Sequence, residues 1–146
     1  MRPNILGADA IEWLGAHYKI ILKHEETGGA MSVVDSVSPP NSGPPRHIHH
    51  DADETFVILS GDVLFWLEGD EFTRGPGQTM FVPRGKQHTL RVVSHAPARH
   101  LVILTPGGFE GFFAEMADNN YRIPEDMPAI ADCAARYQLS FTGPPL

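Results

Sequence analysis

Short apolar runs, each closed by a turn signal, occupy the chain from residue 17 to residue 105. "HYKIILK" (17–23) reads as a strand, and "EETGGA" as the turn after it. "MSVVDSV" (31–37) is a second strand. "SPPNSGPP" (38–45) is a stiff connection, because proline lacks the N–H that a sheet ladder uses. "TFVILS" (55–60), Gly61 and "DVLFWLE" (62–68) follow, and Gly69-Asp70 marks a tight hairpin turn. "QTMFVP" (78–83), "HTLRVV" (88–93) and "HLVILT" (100–105) continue the series. Runs of this length and spacing predict an all-β sandwich or barrel.

The period changes after "TPGG" (105–108). Phe109, Phe112, Phe113 and Met116 recur at helical spacing. A second helix is predicted over 127–137, with Ile130, Cys133, Ala134 and Tyr137 on one face. These helices are expected to cover the outside of the β core; a lid over the barrel mouth is the alternative. A β-barrel over about 17–105 and a helical extension over about 108–146 then form a single domain, 1–146.

Composition excludes more than it assigns. There are 18 acidic and 11 basic residues, a net charge of −7, and no Lys/Arg block. A nucleic-acid or anionic-membrane partner is therefore not expected. The start, "MRPNILGADA", has no apolar leader core, and no apolar run approaches the roughly 18 residues of a membrane span. A cytoplasmic protein is the expectation. Cys133 is the single cysteine, so no intrachain disulfide forms. Open sheet edges favour pairing with a second copy, and a homodimer is expected.

Chemistry is concentrated in "RHIHHDADETFVILSG" (46–61). Strand side chains alternate between faces, so His47 and His49 point one way and His50 the other. One straight strand would put Glu54 on the face opposite His49. A turn in the polar "HDAD" would bring Glu54 back beside the two histidines and leave Asp51 and Asp53 to the turn. Two imidazoles and a carboxylate suit a divalent transition metal. His88, after the turn "VPRGKQ", offers a fourth donor at the start of a strand. The plain alternative is a fortuitous surface cluster. His17, His24, His95 and His100 are isolated in sequence, though His17 beside Tyr18 could lie near a barrel mouth. Beyond Glu54, either Phe56 and Ile58 or Thr55, Val57 and Leu59 could form the inner face; both sets are largely apolar. Trp66, Phe65 and Phe81 read as core or interface residues.

The same residues resemble the cupin family. His47, His49, Glu54 and Gly61 match its first motif, and Gly77, Pro83, Gly85 and His88 its second, with a short 15-residue stretch (62–76) between them. Two positions depart from the pattern: Asn41 stands where a glycine is usual, and Val92 where an asparagine is usual. The wider chain is similar to small bacterial cupins of the quercetin dioxygenase-like kind. The resemblance implies a jelly-roll β-barrel (double-stranded β-helix) with short C-terminal helices. It also implies one divalent transition metal ion (Fe, Ni, Mn, Cu or Zn) held by His47, His49, Glu54 and His88. A dioxygenase-like oxidoreductase acting on a small aromatic or enolic substrate is the leading expectation, with Glu54 as ligand or general base. A non-redox metal-dependent isomerase, cyclase or lyase, or a non-enzymatic small-molecule-binding barrel, are the alternatives.

Overall fold

The computed structural model describes residues 5–146; the first four residues of the stretch read above for a leader lie outside them. The strands in chain order are β1 (Ile11–Trp13), β2 (Ala16–Leu22), β3 (Ser32–Ser38), β4 (Arg46–His49), β5 (Asp53–Ser60) and β6 (Val63–Leu67). They continue with β7 (Asp70–Arg74), β8 (Thr79–Val82), β9 (His88–Val92), β10 (Ala98–Thr105) and, after two helices, β11 (Leu139–Gly143). A six-stranded sheet has the order β1-β2-β3-β10-β5-β8, and a five-stranded sheet the order β11-β4-β9-β6-β7. The two sheets form a jelly-roll barrel.

Alternation along the strands builds the core between the sheets. β5 reads inward at Glu54, Phe56 and Ile58, which are 5, 3 and 0% exposed, while Leu59 stands 43% exposed. The face that carries Glu54 is therefore the inner one. β10 turns Ala98, His100, Val102 and Leu104 inward. From the other sheet β6 contributes Val63 and Phe65, and Phe65 meets Phe56 across the barrel at 4.9 Å between ring centroids. Each buried Val, Leu, Ile or Phe side chain among them contributes about 1.5–3 kcal/mol relative to exposure. Phe65 is core as expected; Trp66 lies on the outer side under the Arg46 guanidinium, 4.6 Å from its carbon, and Phe81 is 51% exposed.

Three details differ from the sequence reading. The hairpin between β6 and β7 pairs Leu67 with Asp70, so its two turn residues are Glu68 and Gly69, both at positive φ. That backbone matches the strand twist, which sets the turn one residue earlier than expected. β1 and β11 were not anticipated; each is short and adds to a sheet edge. Finally, the helices α1 (Glu110–Asn119) and α2 (Met127–Arg136) form as expected, but α1 does not simply cover the outside. Its first turn and the residue that caps it carry an aromatic stripe, Phe109, Phe112 and Phe113, which forms one wall of the barrel cavity. Phe113 stacks on Tyr18 at 4.5 Å, and Phe112 packs edge-on to Trp13 at 6.0 Å. Three large rings bury more apolar area there than on an outer surface. Among the described residues, no helix is long and apolar enough to cross a membrane.

Candidate metal centre

His47 and His49 alternate inward along β4, which belongs to the five-stranded sheet. β9 lies beside it, and its first residue, His88, is the register partner of His47. Glu54 comes from β5 in the opposite sheet. The residues between, His50 to Ala52, do not close a hairpin, for β4 and β5 are not neighbours. They carry the chain across the barrel. Glu54 thus meets the histidines face to face rather than side by side.

The four side chains are 2–8% exposed, and one donor atom from each lies within 4.8 Å of all the others. Glu54 Oε2 is 3.3 Å from His49 Nε2, and Glu54 Oε1 is 3.1 Å from His88 Nε2. Nδ1 of His47 donates to the Pro45 carbonyl at 2.8 Å, and Nδ1 of His88 to the Lys86 carbonyl at 3.0 Å. Those carbonyls accept only, so they place the proton on Nδ1 and aim Nε2 at the cluster. Donors about 2.0–2.2 Å from one ion lie within roughly 4.4 Å of each other, so the set needs only tenths of an ångström to close on a cation. Three imidazoles and one carboxylate match a divalent transition metal in chemistry as well as in span.

The electrostatics agree. Burial pushes the His47 imidazole down to about 3, with His88 and His49 adding to the effect, so it is neutral and able to ligate. Burial alone would raise the Glu54 carboxyl, but His49 and His88 outweigh it and hold it well below the usual range. Burial also opposes charge on His88, yet the bond to Glu54 lifts it above the ordinary histidine value.

The remaining candidates sort clearly. His50 is exposed and pairs with Ser140 Oγ at 2.8 Å, on the far side of β4 as parity predicted. Asp51 is exposed in the connection, whereas Asp53 opens β5 and accepts from the Arg84 backbone N–H and guanidinium. His24 and Glu25 form a separate group with Glu110, whose carboxylate also accepts the His24 and Gly108 backbone N–H groups. Tyr18, not His17, faces the cavity. His100, isolated in sequence, is buried and lines the same cavity. Its place on the inward parity of "ARHLVILT" was the available signal.

The cluster sits at one side of a cavity of about 170 Å³, room for about one aromatic ring. Trp13, Phe56, Val102, Phe109, Phe113 and Phe141 supply apolar wall. Phe109 places its ring edge-to-face with His49 at 4.5 Å.

Both departures from the family motif meet in one place. Asn41 has φ +65°, the left-handed region that asparagine tolerates better than most residues. Its N–H donates to the carbonyl of Val92 at 2.9 Å, and its Oδ1 accepts from Arg91 at 3.1 Å. Neither residue touches the cluster.

Residues 35–104 match the family described as Cupin domain. Over 101 residues the chain is 33% identical to quercetin 2,3-dioxygenase of Bacillus subtilis, covering 69% of this chain and 30% of that protein. An uncharacterised protein of Methanocaldococcus jannaschii is 25% identical over 79 residues, 54% of this chain and 63% of its own length. The chain thus spans less than two thirds of these curated relatives. Among solved structures, KdgF from Halomonas sp. superposes with a TM-score of 0.64 at 16% identity, over 71% of this chain and 91% of that one. The polyketide cyclase RemF from Streptomyces resistomycificus gives a TM-score of 0.59 at 20% identity, over 72% and 78%. At such identities these two likenesses show the fold alone. With motif, barrel and family match in agreement, the chain carries a cupin domain over residues 35–104.

Proposed function

We propose that this protein is a metal-dependent, dioxygenase-like enzyme acting on a small aromatic or enolic substrate. One observation carries the reading: three buried imidazoles and the Glu54 carboxylate converge on one point beside an aromatic-walled cavity. The likeness to quercetin 2,3-dioxygenase supports the reaction class.

His47, His49, Glu54 and His88 would hold the ion. When bound, a divalent transition metal supplies Lewis acidity and, if redox-active, electron exchange with O₂. The chain's own residues do the rest. The carbonyls of Pro45 and Lys86 keep the Nε2 lone pairs aimed inward. Glu54, ionised through its histidine partners, accepts a proton from an enol or phenol hydroxyl at a carboxylate oxygen. Phe109, Phe113 and Phe56 exclude water and give a flat substrate an apolar bed. Tyr18 stays protonated, since burial pushes its phenol up to about 12.

The test is oxygen uptake by protein loaded with Fe, Ni, Mn or Cu, with enols and flavonols as candidate substrates. Substrate-dependent uptake, abolished by Glu54→Gln, is expected. Turnover at an equal rate without O₂ would replace this reading with a non-redox isomerase or cyclase.

A further inference from the structure

The cavity has a second polar feature on the six-stranded sheet. Inward positions on β10 run Leu104, Val102, His100, opposite Glu54, Phe56 and Ile58 of β5. His100 is therefore two inward steps from the level of Glu54, roughly 13 Å along the strand. On β3 its register partner is Ser36, whose other neighbour is Tyr18 of β2. Ser38 is next along β3, with Oγ 3.5 Å from His100 Nε2.

All three line the cavity, at 0% exposure for Ser36, 4% for His100 and 8% for Ser38. Ser36 Oγ and His100 Nδ1 have no hydrogen-bond partner among the described residues. Native interiors seldom leave buried polar atoms so, and a purely structural hydroxyl or ring nitrogen normally has an internal partner. Between this group and Glu54 the wall is apolar, formed by Phe56 and Val102. A ligand that reaches both must carry polar groups at its two ends and an apolar body between.

We propose that Ser36 and His100, with Ser38 beside them, form a specificity site that binds an uncharged hydroxyl or carbonyl at the end of the substrate remote from the metal centre. The inference deepens the functional reading above and rests on it for the other end of the ligand. The chemistry favours a neutral group. Burial holds the His100 imidazole down to about 4, so at neutral pH one ring nitrogen donates and the other accepts. A serine hydroxyl does both. The carboxylates Glu54 and Asp35 favour the charged imidazole, but burial outweighs them, so the ring meets its ligand uncharged. A para-substituted phenol with a hydroxylated substituent has the required form.

The experiment compares 4-(hydroxymethyl)phenol with 4-ethylphenol, equal in size and differing by one hydroxyl. Dissociation constants are measured by calorimetry on zinc-loaded wild type, Ser36→Ala, His100→Leu and His100→Gln, with zinc content read in each sample. Wild type should prefer the hydroxymethyl compound by about tenfold, the scale of one to two net hydrogen bonds. The preference should fall to about unity in Ser36→Ala and His100→Leu, while 4-ethylphenol binds no more weakly. His100→Gln, which keeps a donor and an acceptor, should retain part of it. No preference in wild type, an undiminished preference in Ser36→Ala and His100→Leu, or binding of neither compound would overturn the proposal. Absence of zinc from wild type would instead sink the metal reading, and the affinity ratio would still judge the polar wall.

Discussion

His49 and Glu54 are five positions apart in sequence yet belong to opposite sheets, with Nε2 and Oε2 3.3 Å apart across the barrel. Five residues are too many for one strand face and too few for a second element. The chain uses them to cross from one sheet to the other. Among the described residues, the Glu54 carboxylate is the one anionic group of the cluster, facing three imidazoles from the other sheet.

Glu54→Gln should therefore weaken metal binding while preserving side-chain volume. Loss of an outer partner of a ligand typically costs 10–100-fold in affinity, and loss of the anionic ligand itself should cost at least about that much. Competition titration against a chromophoric chelator reads the change directly. An unaltered affinity would remove Glu54 from the centre.

At the β3–β4 connection, two positions on either side of Ser42 should respond to very different degrees. Asn41 already sits at φ +65°, so Asn41→Gly should shift stability by less than about 1 kcal/mol. Gly43→Ala should destabilise by about 3 kcal/mol or prevent folding, because a Cβ there would overlap the Leu90 carbonyl. Urea midpoints of the two variants check this; similar values would contradict it.

Much of this was legible in the sequence, for physical reasons. Period-two alternation gave β5, β9 and β10, and parity separated His47 and His49 from His50. What alternation cannot give is the partner of a strand. The β4–β5 connection looked like a reversal because a polar turn is the same sequence whether it closes a hairpin or changes sheets. β11 escaped notice because it is five residues long and its inward residues, Leu139 and Phe141, are two among many aromatics and aliphatics near a helix end. His100 looked isolated because its cavity neighbours, Ser36 and Tyr18, are brought together only by the sheet register.

Stability should depend on pH through His100. Its folded value of about 4 lies below the ordinary 6.5 of an unfolded histidine. Between those values the unfolded chain binds a proton that the folded chain refuses. The stabilisation is therefore complete above about pH 6.5 and shrinks as pH falls toward 4, by about 3 kcal/mol in all. His47, held lower still at about 3, and Glu54, held below its usual range, add to the same acid limb, whereas His88, raised in the folded state, works in the opposite direction and loses its contribution as pH rises. His100→Leu should flatten the acid limb when metal-free protein is unfolded in urea at pH 6.5 and pH 4.5. An unchanged slope would contradict the assignment.

Phe109 should separate cavity from ligation. It is 9% exposed, packs against His49 and Phe112, and carries no donor. Phe109→Ala should cost about 3 kcal/mol of stability and weaken binding of 4-ethylphenol, with zinc stoichiometry retained. Loss of zinc in a folded Phe109→Ala protein would show that the ring supports the ligand set.

The most direct measurement is elemental analysis of wild type, His47→Ala, His49→Ala, His88→Ala and His50→Ala after equal exposure to zinc and desalting. About one zinc per chain is expected in wild type and His50→Ala, and little in the other three. Equal losses in all four variants, or full zinc in His88→Ala, would contradict a centre shared between β4, β5 and β9.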